Sequence, residues 1–261
     1  CPYCGTGCGV DVRVDGDTTE VQGDAQHPAN LGKLCVKGAA LGQTVGPQGR
    51  LLHPMMRDGA GERSVSWEVA LDRVAGGFRD IIREHGPDAV AFYVSGQLLT
   101  EDYYAANKLA KGFIGTANID TNSRLCMSSA VAAYKRAFGS DSVPCNYEDI
   151  ESTDLFVMVG SNAAWTHPVL FQRLEKDKQR NPNMRIVCVD PRQTASCAIA
   201  DQHLALRPGS DAVLFNGLLA FLAANEGLDN SFIEQSTEGF TAALLNANDY
   251  SLARVARECG L

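Results

Sequence analysis

Three of the nine cysteines in this 261-residue chain fall within its first eight residues. Cys1-Pro2-Tyr3-Cys4-Gly5-Thr6-Gly7-Cys8 sets thiols at C-x2-C-x3-C spacing, and Cys35 follows after 26 intervening residues. Thiolates so spaced, on a turn loosened by Gly5 and Gly7, can converge on one metal centre. A fourth ligand from the turn Leu34-Cys35-Val36-Lys37-Gly38 completes the set that an iron–sulfur cube takes. A structural zinc site is the alternative, but zinc prefers paired C-x2-C knuckles and the second pair is missing. Disulfides are disfavoured because the count is odd, the cysteines are clustered, and a chain of this size needs no staples.

Further groups of chemical interest are spread along the chain. Asn122-Ser123-Arg124-Leu125-Cys126-Met127-Ser128-Ser129-Ala130 places a thiol at the expected start of a helix. A helix N-terminus stabilises a thiolate and the serines crowd the turn with donors, although a cysteine so placed is commonly plain packing. Val159-Gly160-Ser161-Asn162-Ala163-Ala164-Trp165-Thr166-His167-Pro168 carries an apolar strand into a helix start. Open α/β sheets bind ligands at such carboxyl ends, with phosphates held by small-residue turns. Val189-Asp190-Pro191-Arg192-Gln193-Thr194 ends the next strand. Its acid could accept from a ribose or a guanine edge and its arginine could meet a phosphate, or the two could form an ordinary surface pair. Pro208-Gly209-Ser210-Asp211 opens a later helix. Cys145, Cys188, Cys197 and Cys259 stand at no ligand spacing, and Cys188, inside an apolar strand, reads as core.

The elements that must position these groups follow from periodicity. Gly9 to Asp17 alternates apolar and polar residues up to an Asp-Gly turn, which predicts a hairpin whose second strand is Thr18 to Val21. Residues 1–55 are glycine-rich with few helical periods. From Ser66 the texture changes: a Ser66-capped helix carries Trp67, Leu71, Val74, Phe78 and Ile81 or Ile82 at i+3/i+4 spacing and stops at His85-Gly86-Pro87. Strands are expected at 89–94, 154–159, 185–189 and 202–206. Helices are expected at 101–114 behind a Thr100 cap, at 126–138, at 168–180 and at 211–224, the last with Val213, Leu214, Leu218, Phe221 and Leu222 inward. Strands without alternation, separated by helices, indicate a parallel sheet covered on both faces. The expected fold is therefore α/β, with a small β-rich cluster domain (1–55) followed by a doubly wound, mostly parallel α/β domain (56–261).

Net charge of −8 and a pI near 5.1 argue against nucleic-acid binding, which needs a basic patch. No apolar run reaches the roughly 20 residues of a membrane span. With no initiator methionine at Cys1 and a helix-like turn at Glu258-Cys259-Gly260-Leu261, the chain reads as an N-terminal fragment of a longer protein, cytoplasmic in the absence of a visible export signal.

C-x2-C-x3-C-x26-C with a lysine two residues beyond resembles the N-terminal region of the molybdenum bis-molybdopterin guanine dinucleotide oxidoreductases, and the later blocks follow in that family's order. The resemblance implies a [4Fe-4S] cluster on Cys1, Cys4, Cys8 and Cys35, with Lys37 relaying electrons towards the pterin. It implies molybdenum ligated by Cys126, with Asn122 alongside and pterin guanine dinucleotide contacts at Gln97, Gly160, Ser161, Asn162, Trp165, Thr166, Asp190, Arg192, Thr194, Gly209 and Asp211. Formate dehydrogenases of this type usually place histidine after the metal-binding Cys or Sec; Met127 stands here instead and points to nitrate reductase, and Gly160-Ser161-Asn162-Ala163-Ala164-Trp165 looks closer to the assimilatory nitrate reductases than to the periplasmic ones. Nitrate is then reduced to nitrite by oxygen-atom transfer, with electrons from a ferredoxin, a flavodoxin or an NAD(P)H-linked reductase subunit. The second pterin dinucleotide is bound largely by a C-terminal domain that the fragment lacks, so the fragment alone is expected to be inactive. A formate dehydrogenase of the same family and a non-catalytic iron–sulfur electron-transfer module are the other two readings. Cys126 and the intact dinucleotide turns argue against the second.

Overall fold

The computed structural model describes residues 1–59, 61–96 and 98–261, the side chains of Ser123 and Arg124 apart. Strands β1 (Val10–Asp15) and β2 (Thr18–Gly23) form the expected antiparallel hairpin. Asp15 pairs with Thr18, which leaves Gly16 and Asp17 as the two-residue turn that matches strand twist. Helix α1 (Val36–Ala39) starts directly after Cys35, which occupies its N-cap position.

The chain divides into two compact units, Cys1–Val45 with Cys145–Leu261, and Gly46–Pro144. Within Gly46–Pro144, β3 (Met55–Asp58) and β4 (Gly61–Ser64) form a second hairpin, which the alternation pattern is too short to announce. Helix α2 (Trp67–His85) begins where expected, with Ser66 Oγ accepting from the Val69 amide at 3.3 Å. It ends at Gly86, as the Gly-Pro signal requires. Strand β5 (Phe92–Val94) is shorter than expected because Pro87–Ala89 forms a 3-10 turn. Helix α3 (Thr100–Asn107) is closed by Asp102, not Thr100: its Oδ2 accepts from the Leu99 amide at 3.2 Å. The helix then loosens into a π-helical stretch, Lys108–Ile114. Strand β6 (Ile119–Thr121) pairs parallel to β5, and α4 (Asn122–Phe138) leaves it at once, four residues before the expected start. The apolar stripe of α2 is largely uncovered. Trp67, Leu71 and Val74 are more than half exposed, while Phe78 packs on Phe92 with ring centroids 6.0 Å apart.

The rest of the first unit is a three-layered α/β arrangement. Along it run α5 (Asp149–Ser152), β7 (Leu155–Val159), α6 (Ala163–Thr166), α7 (Pro168–Arg180), β8 (Arg185–Val189), a 3-10 turn (Ala195–Ile199), β9 (Gln202–Leu204) and α8 (Asp211–Ala224). Three short helices close the chain: α9 (Asn230–Ser236), α10 (Phe240–Ala247) and α11 (Leu252–Cys259). The sheet order is β7-β8-β9, all parallel. Side chains alternate across a strand, so the central β8 serves two cores. Ile186 and Cys188 join Met158, Leu174 and Met184 on one face; Val189 joins Leu206, Leu214, Val255 and Cys259 on the other. Full burial of a side chain such as Ile186 contributes about 1.5–3 kcal/mol. Of the residues expected inward on α8, Leu214 is buried, whereas Leu218, Phe221 and Leu222 stay nearly half exposed. Among the described residues no helix is long and apolar enough to cross a membrane.

Candidate functional site

The first site is the cysteine loop. Gly7 adopts φ +67°, a conformation open to glycine, and its amide reaches back to the Cys4 carbonyl at 3.3 Å, which brings Cys8 round beside Cys4. The buried Asn30 side chain then clamps the loop. Its Oδ1 accepts from the Gly9 amide at 2.8 Å, and its Nδ2 donates to the carbonyls of Gly9 and Lys33 at 3.1 and 2.9 Å. Asn30 therefore ties the residue after Cys8 to the segment that delivers Cys35. Cys1, Cys4, Cys8 and Cys35 line one pocket, whose wall is completed by Tyr3, Thr6, Leu34, Gly38, Pro168 and Val169.

The donors in that pocket are thiols, with no carboxylate or imidazole in the wall. Among the described residues no three His, Cys, Asp or Glu side chains gather tightly enough to hold a single ion. Zinc draws its sulfurs to about 2.3 Å from one centre, whereas a cube takes one thiolate on each iron. A donor set of four thiols fits the cube. The Thr6 hydroxyl, 3.5 Å from the Cys4 sulfur, holds that thiol below its usual range, with the Thr6 amide and the charge of Lys37 acting the same way against burial. Burial pushes the Cys8 thiol up. Lys37 lies exposed on α1.

The second site is the carboxyl edge of β7-β8-β9, where three of the turns named from the sequence meet. Gly160, at φ +57°, ends β7 and donates to Val189 O at 2.8 Å; the Asp190 amide donates to Leu204 O at 3.2 Å. The Gly160–Thr166 turn is stapled to the next by Ser196, whose hydroxyl donates to Asn162 Oδ1 at 3.2 Å and accepts from the Ala164 amide at 3.0 Å. Ser161 and Asn162 are half-buried, Trp165 projects into solvent, and the Thr166 hydroxyl donates to Asn162 O at 3.1 Å. Asp190 is buried, one carboxylate oxygen accepting from the Arg192 amide at 2.8 Å, while the Arg192 guanidinium stays exposed. Thr194 Oγ1 is buried with no hydrogen-bond partner among the described residues, an orphan of the kind a bound polar group satisfies. Gly209 and Asp211 flank the buried Ser210 at the start of α8. Asp211 already complements the helix dipole, so that turn suits a hydrogen-bond donor such as a guanine edge better than a phosphate. These features fit a dinucleotide.

In Gly46–Pro144 the parallel pair β5-β6 has its own carboxyl edge, which carries Ser95 and Gly96 at one strand end and Asn122 at the other. Gln97 lies outside the described residues. Cys126 is exposed, one turn inside α4. The sequence suggests Cys126 as the start of this helix, but β6 ends at Thr121 and α4 begins at Asn122, so the thiol stands a full turn beyond the helix N-terminus.

Several supporting residues have no local sequence signal. Asn30 is a buried polar group inside an ordinary-looking turn, and Ser196 follows its strand like any loop serine. Tyr147 and Arg173 reach the cysteine loop from more than 140 residues away. The sequence also leaves Cys197 without a role, yet its sulfur lies 3.4 Å from that of Cys188.

Comparison with known proteins agrees with this geometry. The family model "Molybdopterin oxidoreductase" matches residues 50–243, and "Molybdopterin oxidoreductase Fe4S4 domain" matches residues 1–46. The chain is 60% identical, over its whole length, to 29% of a nitrate reductase of Klebsiella oxytoca. It is 49% identical, again over its whole length, to 28% of a nitrate reductase of Shewanella frigidimarina. The chain therefore spans under a third of the length of these relatives. Acetylene hydratase from Pelobacter acetylenicus matches all of the chain with 36% of its own length, a TM-score of 0.82 and 23% identity, a likeness of fold.

Proposed function

The chain belongs to the molybdopterin oxidoreductase family and carries that family's Fe4S4 domain at its front, and on that premise we propose that the whole protein reduces nitrate to nitrite by oxygen-atom transfer. The observation that carries this reading is similarity over the full chain to proteins named nitrate reductase, joined to Met127 after Cys126 where formate dehydrogenases usually have histidine. Oxygen-atom transfer is chemistry that the molybdenum cofactor supplies when bound; the protein binds, orients and tunes it.

The chain's own residues have distinct tasks in this reading. Cys1, Cys4, Cys8 and Cys35 hold the cluster within residues 1–55, and Lys37, two residues beyond Cys35, places a positive charge on the electron path. Residues 56–261 hold the cofactor. Cys126 supplies the thiolate for molybdenum, with Asn122 at the end of β6 and Gln97 as further cofactor contacts. Gly160, Ser161, Asn162, Trp165 and Thr166 wrap one part of the dinucleotide. Asp190, Arg192, Thr194, Gly209 and Asp211 take its polar groups, the buried Asp190 accepting from a donor edge and the exposed Arg192 meeting phosphate. No general acid–base pair is required. Electrons come from a ferredoxin, a flavodoxin or an NAD(P)H-linked reductase subunit, and the protein works in the cytoplasm.

The test is anaerobic nitrate consumption by the full-length protein with a reduced viologen dye, run beside a formate-oxidation assay. Molybdenum-dependent nitrite production is the expected result. Formate oxidation without nitrate reduction would overturn the substrate assignment, and a cluster with neither activity and no molybdenum would make the protein an electron-transfer module. Growth-fraction assays of nitrate reductase activity check the compartment: activity released only with the periplasm would sink the cytoplasmic reading.

A further inference from the structure

The cysteine loop is held from outside by a group that none of the tasks above uses. Tyr147 lies just before α5, and its phenol oxygen sits 3.2 Å from Gly5 O and 3.0 Å from Thr6 O, the two carbonyls between Cys4 and Cys8. One hydroxyl proton is thus shared between two successive peptides. The ring is seated in turn by Arg173 on α7, whose guanidinium carbon lies 5.8 Å from the ring centroid. Arg173 is 5% exposed. Its Nε donates to Glu151 at 2.7 Å, and its Nη1 donates to Pro28 O at 2.8 Å and Ala29 O at 3.3 Å, immediately before the Asn30 clamp. Burying a guanidinium is costly unless every direction is satisfied. Here its partners are one carboxylate, two carbonyls of the cysteine segment and the aromatic face, so its position is closely determined.

The consequence follows from peptide geometry. A trans peptide is planar and its N–H points opposite to its C=O. A phenol that draws the Gly5 and Thr6 carbonyls outwards therefore turns the Thr6 and Gly7 amides inwards, towards Cys4. The Gly7 amide closes the turn on Cys4 O at 3.3 Å, and the Thr6 hydroxyl lies 3.5 Å from the Cys4 sulfur. Hydrogen bonds to ligand sulfurs favour the more negative, reduced state of an iron–sulfur cluster and so set its potential.

We propose that Tyr147, seated by Arg173 and Glu151, is a positioning residue for the electron-entry centre: it fixes the Gly5–Thr6–Gly7 turn so that Thr6 faces the Cys4 ligand, which raises the cluster's reduction potential. This rests on the reading of Cys1, Cys4, Cys8 and Cys35 as cluster ligands. A role in fold stability alone would leave the potential unchanged.

The experiment is a dye-mediated redox titration of full-length holoprotein, followed by electron paramagnetic resonance, with iron counted for each variant. Tyr147→Phe keeps the ring and removes only the hydroxyl. It is expected to retain four irons per chain, to shift the potential downwards, and to weaken the couplings of exchangeable protons to the reduced cluster. Unchanged potential and unchanged proton couplings at full iron content would overturn the proposal, as would an upward shift. If Tyr147→Phe loses iron, Arg173→Met, which leaves the phenol but removes its seat, decides the matter. A lowered potential there supports the proposal and a wild-type value overturns it. Wild-type protein without a four-iron cluster would instead remove the ligand reading itself.

Discussion

Two strand edges in this chain carry named chemistry, and they are built in different ways. The edge of β7-β8-β9 is closed by the chain itself: Gly160 and Asp190 are tied across the sheet, Ser196 joins two turns, and Met184, Ile186 and Cys188 beneath them are wholly buried. The edge of β5-β6 rests on far less. Among the described residues of Gly46–Pro144, only Val90, Ala110 and Thr116 are buried, and Leu125 and Met127 beside Cys126 are exposed. Local stability follows buried apolar contact. On the proposed reading the two edges would be supported differently: fixed turns would meet a long, polar ligand, and an exposed thiol would meet the metal.

The largest effect that tests this division lies at the open edge. Cys126→Ala in the full-length protein is expected to abolish turnover while the iron–sulfur signal persists, measured by viologen-linked nitrate reduction beside electron paramagnetic resonance. Normal turnover would remove Cys126 from the metal. A second comparison sets one substitution in each region. Ile186→Ala leaves a cavity under the closed edge and is expected to cost about 2–5 kcal/mol. Leu71→Ala, on the uncovered stripe of α2, is expected to cost less than about 0.5 kcal/mol. Hydrogen exchange under rising denaturant reads the two units separately, and equal losses would abolish the distinction between them. Next, Lys37→Met is expected to slow electron delivery without emptying either metal site. Stopped-flow reduction at an unchanged rate would end the relay assignment.

How far the sequence discloses each region follows the same physical divide. Helix α7, strand β8 and helix α8 appear with the expected bounds because their signals are local: Pro168 at a first turn, an unbroken apolar run at Arg185–Val189, a Ser210-led start at Asp211. The hairpin β1-β2 and the Ser66 cap are equally legible. Strand β6 is not, since three residues are too short for a period to register, and it is β6 that moves the start of α4 back to Asn122. Burial is harder to read than type. The i+3/i+4 stripe on α2 marks a helix correctly but says nothing of what covers it, and Trp67 lies open. In the site, cysteine spacing discloses the four thiols that line one pocket, whereas Tyr147, Arg173 and Ser196 owe their places to pairings across long stretches of chain. Neither periodicity nor spacing records those.

The smallest expected effect contrasts two thiols of the same chemical type. Cys126 is exposed, while Cys188 is wholly buried at the centre of the closed edge. Burial first, then the hydrogen bond and charge of Cys197 and the charge of Asp190, push the Cys188 thiol up to about 12. An unfolded thiol loses its proton near about 8.5. Between these values the unfolded chain has released the Cys188 proton and the folded chain still holds it, so the unfolded state binds fewer protons and stability falls as pH rises. In the cofactor-free chain, iodoacetamide at pH 9 is expected to label Cys126 and spare Cys188, with peptide mass spectrometry as the readout. The fall in stability from pH 9 to 11 is expected to become shallower in Cys188→Ala, against its own lower baseline. Equal labelling of the two thiols in folded protein would mean that the β7-β8-β9 edge opens as readily as the helix that carries Cys126, and that the two regions are built alike after all.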